Sequence, residues 1–170
     1  KSYDRKNKID NKVYKGTDYI KELIKNDGYR ASICLNFYKR EFLIKNDLIF
    51  EEGYIHEDEI FTLDAYCLAE RIKYIDNKLF YRRLRENSIT TSNMSINHLK
   101  GRVRAAEKYE SYILNDKYSS DFKKQMSKYA QNLYYWILVD TYIMEKGTKS
   151  KVELKSIVIR NIKKNKELLS

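Results

Sequence analysis

Residues 56–59 read His56, Glu57, Asp58, Glu59, and an apolar run follows with Ile60, Phe61, Leu63, Ala65, Cys67 and Leu68. Carboxylates at the exposed start of a packed helix can act as a rigidly held general base for a weak nucleophile such as a hydroxyl. The same acids also suit the unpaired N–H groups and positive dipole end of any helix start, so base and cap are both open readings. Glu57 and Glu59 would raise the Asp58 pKa by like-charge repulsion, while the helix N-terminus would lower it. Further on, Arg83 and Arg85 stand two apart. In an extended segment they project from one face, with Arg82 on the other. Paired guanidiniums bind phosphate oxygens bidentately and stay charged, although solvated charge on an exposed strand fits the spacing equally well.

The elements that must position these groups follow from periodicity and turn chemistry. Residues 1–15 are polar and read as loop or ragged entry. Thr17 caps a helix over 18–26, ended by Asp27 and Gly28. Residues 30–38 suit a strand, 40–46 a short helical turn and 48–50 a brief extended piece. The helix carrying the acids is predicted over 57–70. Strands over 71–75 and 78–85 join through Asp76 and Asn77, a turn-favouring pair.

Beyond residue 91 the pattern becomes helical. Leu99, Val103, Ala106, Tyr109 and Ile113 recur at helical spacing, as do Phe122, Met126, Tyr129, Leu133, Trp136 and Ile137. A third helix opens at Ser150 with Glu153 in a capping-box pattern and carries Leu154, Ile157, Val158 and Ile162. The chain thus divides into a mixed part, 1–91, and a helical extension, 92–170. Tyr129, Tyr134, Tyr135 and Trp136 are read as core and helix contacts before sugar-stacking rings.

Three blocks in order resemble the C-terminal half of a family 2 glycosyltransferase of the GT-A type. The first runs from Cys34 through Tyr38, Lys39, Arg40, Glu41 and Phe42 to Leu43. The second runs from Ile49 to Phe61 and holds Phe50, Glu52, Gly53, the Glu57-Asp58 pair and Ile60. The third holds Tyr81, Arg83, Arg85, Ser88 and Ile89. The sequence departs from the family pattern at Arg82, where a further aromatic is common, and at Glu86-Asn87, where Pro-Gly is common.

The resemblance implies an α/β fold, seen here as an α+β fragment: the C-terminal, acceptor side of a GT-A nucleotide-diphospho-sugar transferase, followed by a tail of three helices. It implies transfer of a sugar from a nucleotide-diphosphate donor to an acceptor hydroxyl, with inversion. Cell-surface polysaccharide or glycolipid synthesis is the implied setting, and a glycan or lipid-linked molecule the implied acceptor. Asp58 falls on the base and Glu57 on its helper. Arg83 and Arg85 fall on the diphosphate side, with Ser88 a nearby hydroxyl contact and His56 beside the base. A divalent metal, Mg or Mn, is expected for the full enzyme with its ligands outside this chain, because no nucleotide-binding βαβ start, Gly-rich turn or Asp-x-Asp motif is present. By this reading the 170 residues alone are inactive.

Composition bounds the alternatives. The formal charge of +10 invites nucleic acid, acidic lipid or phosphate. Its clusters, Lys39-Arg40, residues 82–85 and residues 163–166, come without a zinc-finger spacing or an RNA-binding motif, which argues against specific nucleic-acid recognition. Proline is absent where average usage gives roughly eight in this length, a background bias that lowers the weight of any single Lys or Tyr. Cys34 and Cys67 lie in apolar stretches and read as small buried hydrophobes rather than metal ligands. His56 and His98 lack partners for a metal, although His98 can approach the site from the first tail helix. Without a signal peptide or apolar span the expected location is cytoplasmic, or peripheral at the inner membrane surface. The rival from another class is a non-catalytic basic helical module that docks on membrane, nucleic acid or a partner protein, its acids acting only as caps.

Overall fold

The computed structural model describes residues 9–81, 83, 95–143 and 149–167. Its elements are strand β1 (Val13–Tyr14), helix α1 (Gly16–Lys25), a 3-10 turn (Ile33–Leu35), α2 (Arg40–Lys45), α3 (Glu57–Leu68), strand β2 (Ile72–Lys73), α4 (Ile96–Ile113), α5 (Ser120–Ile143) and α6 (Lys149–Glu167). Among the described residues the molecule is therefore mostly helical, with a small antiparallel sheet in which Val13 pairs Lys73 and Tyr14 pairs Ile72.

α3 is the central element. Ile60, Phe61, Thr62, Leu63, Ala65, Tyr66 and Cys67 are all buried, so this helix is covered nearly all round rather than on one stripe. α1 lays Tyr19, Ile20, Leu23 and Ile24 against it. α4 brings Leu99, Val103, Ala106, Tyr109 and Ile113, a spacing that keeps one face inward. α5 adds Phe122, Met126, Ala130, Tyr134 and Ile137, and α6 closes the core with Leu154 and Val158. One core thus holds residues from both sides of the 91/92 boundary. Polar ties cross it too: Arg104 forks onto Glu51 at 3.0 and 3.2 Å, and Asp64 accepts from the Tyr112 hydroxyl at 2.6 Å and pairs with Lys108 at 2.8 Å.

Two glycines set how closely the helices approach. The Gly16 N–H donates to the Ala69 carbonyl at 2.8 Å, and a Cβ at Gly16 would stand 1.8 Å from the Tyr66 carbonyl oxygen. A Cβ at Gly101 would stand 1.7 Å from the Ile55 carbonyl oxygen. Only glycine permits either contact, so α1 docks on the end of α3, and α4 on the loop that leads into it.

Several sequence expectations give way. The strand expected over 30–38 is the 3-10 turn instead. Side chains rather than a ladder meet its polar groups, the Asn36 amide donating to the Ser32 carbonyl at 2.9 Å and the Tyr66 hydroxyl of α3 donating to Asn36 at 2.7 Å. The hairpin expected from 71–75 and 78–85 does not form among the described residues. Ile72–Lys73 pairs instead with Val13–Tyr14, inside the segment read as loop, where Ile9 is also buried. Residues 48–50 carry no strand. α1 begins at Gly16 with Lys15 as its N-cap, so Thr17 lies inside the helix rather than capping it. α3 stops at Leu68, two residues before the expected end. α6 begins at Lys149, which puts Ser150 in its first turn rather than at the cap. Cys34 is exposed, and only Cys67 is buried. Trp136 is 47% exposed, and its neighbour Tyr134 takes the inward place on α5.

Candidate functional site

His56 makes the turn into α3 with φ 73° and ψ 28°, a left-handed conformation that His tolerates better than most residues. Its ring centroid lies 5.9 Å from that of His98, edge to face. His98 is held in the first turn of α4: its Nδ1 accepts from the Ser95 N–H at 3.1 Å and lies 2.8 Å from the Ser95 hydroxyl. Sequence reasoning missed this cap because His replaces the usual Glu or Gln of a capping box. The approach of His98 to His56 is as expected. Burial, then the charge of Arg102 and the nearness of His98, push the His56 pKa down to about 4, which leaves a neutral imidazole at physiological pH. The His56 Nε2 is buried with no hydrogen-bond partner among the described residues.

The three acids that follow turn to different surroundings, as successive helical positions must. Glu57 and Asp58 are half-buried. Burial, then the neighbouring Glu57 carboxylate, raises the Asp58 pKa, while the backbone N–H groups of Glu59 and Asp58 pull it down. Desolvation and like charge therefore outweigh the helix N-terminus. The group is a stronger base than a free aspartate.

Glu59 takes a part the sequence reading did not give it. It turns inward, where both carboxyl oxygens accept from the Tyr129 hydroxyl of α5 at 3.1 and 3.3 Å. Tyr129 is packed between Tyr29 and Tyr109, each with ring centroids 4.9 Å from its own. The Tyr109 hydroxyl donates in turn to that of Tyr29 at 2.9 Å. In this enclosed setting burial pushes the Glu59 pKa up to about 8, with the Asp58 charge adding to it and the Tyr129 hydrogen bond opposing. Glu59 keeps its proton at neutral pH, so the like charge acting on Asp58 comes from Glu57. One sequence signal could have found this: Glu59 leads directly into the buried run from Ile60.

The remaining predicted residues are placed less fully. Arg83 is exposed in an irregular stretch. Arg85 and Ser88, with Arg82, lie outside the described residues. The two hollows that stand out among the described residues lie elsewhere. One, of about 660 Å³, lies between β1 and α1 along Tyr14, Asp18 and Lys21, and the other, of about 180 Å³, lies at Lys108, Tyr112 and Tyr118. Among the described residues no His, Cys, Asp or Glu group is arranged to hold a metal ion. No described helix is long and apolar enough to cross a membrane. The chain matches no protein-family model, no curated protein and no solved structure.

Proposed function

We propose that this chain is the acceptor side of a nucleotide-diphosphate-sugar transferase and that Asp58 is its base. One observation carries the reading. Asp58 sits in the first turn of a helix buried on nearly all sides, partly desolvated and with its pKa raised by Glu57, while Glu59 and the Ile55–Gly101 contact fasten that turn. Such a carboxylate is held in place and is more basic than a free aspartate, which suits the removal of a hydroxyl proton.

In the proposed step the acceptor hydroxyl gives its proton to Asp58 as its oxygen attacks the anomeric carbon. The bond from that carbon to the diphosphate oxygen breaks, and the diphosphate leaves with the electron pair. Arg83 and Arg85 would meet the departing charge, and Ser88 would add a hydroxyl contact. Glu57 sustains the basicity of Asp58. His56, neutral, offers a hydrogen-bonding edge without adding charge. The donor-binding half and the Mg or Mn site are, on this reading, not among these 170 residues, and no step here depends on them.

The test uses the parent enzyme that this reading requires. Asp58→Asn should lower turnover by about a thousandfold or more while the donor dissociation constant stays within about twofold, because only proton removal is lost. Full turnover in that variant would sink the assignment. Arg83→Ala should weaken nucleotide-diphosphate affinity by roughly tenfold, the order expected for one charge-assisted contact. An unchanged constant would make Arg83 surface charge only.

A further inference from the structure

Four aromatic residues of α5 part ways. Tyr134 is fully buried and Tyr129 is packed between tyrosines, whereas Tyr135 and Trp136 are 58% and 47% exposed. The two exposed rings stand edge to face, with centroids 5.6 Å apart and planes at 74°. Core packing accounts for the first pair and not for the second.

Helix geometry places Trp136 relative to the candidate base. At 100° per residue, Asn132, Trp136, Tyr129 and Asp140 fall within an arc of about 80° on α5, and Tyr134 faces about 160° away from Trp136. Both ends of this flank are tied to the turn that bears Asp58. The Tyr129 hydroxyl donates to Glu59, and the charge of Asp58 acts on that hydroxyl. Asp140 pairs with Arg102 of α4 at 3.4 Å, and the Arg102 charge acts on both His56 and Glu59. Trp136 lies between these joints, about 10 Å along the axis from Tyr129 and about 6 Å from Asp140.

We propose that Trp136 is a stacking ring for one pyranose unit of an oligosaccharide acceptor whose reacting end lies at Asp58. This rests on the transferase reading and names the kind of acceptor it takes. A pyranose presents a face of C–H groups, which the electron-rich face of an indole covers well, and a rim of hydroxyls that need polar partners. Asn132, exposed one turn before Trp136, and the partly exposed Arg102–Asp140 pair one turn after it supply such partners. A lipid tail or an apolar protein face would take water from those groups and return no hydrogen bond. The spacing along α5 asks for more than one sugar, since a single ring cannot sit at Asp58 and over Trp136 at once.

Trp136 is the only tryptophan of the 170 residues, so its emission reports this ring alone. The chain is titrated with cellotetraose, maltotetraose and chitotetraose, and with glycerol as the control. At least one tetrasaccharide should change the emission saturably, with a dissociation constant on the order of 1 mM. The same sugar should shift amide resonances of residues 56–59 as well as 132–140, and its own C–H proton signals should broaden. Trp136→Ala should weaken that broadening roughly tenfold and Trp136→Phe should keep part of it, with helical circular dichroism unchanged. Emission unmoved by all three sugars would overturn the proposal. So would emission that follows protein concentration and ignores sugar, the mark of a contact between copies of the chain. Asp58→Asn should leave sugar binding intact, which separates the two readings. Turnover lost in that variant of the parent enzyme, with no sugar response at Trp136, would overturn the ring and keep the base. A sugar response with turnover retained would overturn the base, and with it an acceptor end at Asp58.

Discussion

Glu59 and His56 bear opposite proton debts, and their balance can be measured. Unfolded, Glu59 ionises near 4.5; folded, it holds its proton to about 8, so unfolding releases a proton across that interval and stability falls as pH rises through it. The full cost is present above pH 8 and amounts to something on the order of 5 kcal/mol. His56 runs the other way. Its folded pKa of about 4 lies below the ordinary 6.5, so its share of stability is complete above 6.5 and is lost as pH falls toward 4. The two effects oppose each other between about 4.5 and 6.5, and from 6.5 to 8 Glu59 acts alone. Urea denaturation should therefore show stability declining over that upper interval. Glu59→Gln keeps an acceptor for the Tyr129 hydroxyl and removes the ionisation, so it should flatten the decline. A slope that survives the substitution would place the titrating group elsewhere.

At the scale of elements, the approach of α4 to the loop before α3 decides how the acids are aimed. A methyl group at Gly101 would collide with a backbone carbonyl, which cannot rotate away as a side chain can. Gly101→Ala should cost about 3 kcal/mol or more and shift the amide resonances of residues 55–59. Retained stability with unmoved resonances would contradict the packing. A second joint lies at Tyr134, whose hydroxyl accepts from Asn161 of α6 and donates to Glu110 of α4 at 3.3 Å. Tyr134→Phe leaves the buried Asn161 amide without that partner and should cost about 1–3 kcal/mol, read as a lowered denaturation midpoint. Wild-type stability would show that the amide finds another acceptor.

These joints also mark where sequence reading succeeds and where it stops. The three tail helices and the start of α3 are legible because their apolar positions repeat locally. The partner of Glu59 lies 70 residues away, beyond any local pattern, so its inward turn is not legible. Strand pairing fails for the same reason. Ile72 and Lys73 read as extended, but nothing nearby in sequence says that their partners are Val13 and Tyr14. Trp136 and Tyr134, two positions apart on α5, both look like core residues, and only the packed neighbours decide which one turns inward.

For the molecule as a whole, positive charge is spread along the chain rather than gathered at one place. Acids of α3 are tied to neighbouring helices, Glu59 to Tyr129 of α5 and Asp64 to Tyr112 and Lys108 of α4, whereas exposed Lys and Arg occur on α1, α2, α4, α5 and α6 alike. A charge of +10 says little about chemistry when read as one number. Residues of α1, α3, α4, α5 and α6 all enter one buried core. The shared core makes these parts of one folding unit, so urea unfolding followed by Trp136 fluorescence and by helical circular dichroism should give coincident transitions. Separate transitions would mean that α5 and α6 fold apart from α3.

The central claim, Asp58 as the base, is tested most directly by comparing two titrations in the parent enzyme. The acid limb of kcat/KM reports the free enzyme's base, and carbon-13 resonances of the Asp58 carboxyl report that group itself. The two midpoints should coincide above the ordinary aspartate value of 3.8, and both should fall together in Glu57→Gln, which removes the neighbouring charge. An acid limb that stays in place while the Asp58 resonance moves would assign proton removal to another residue.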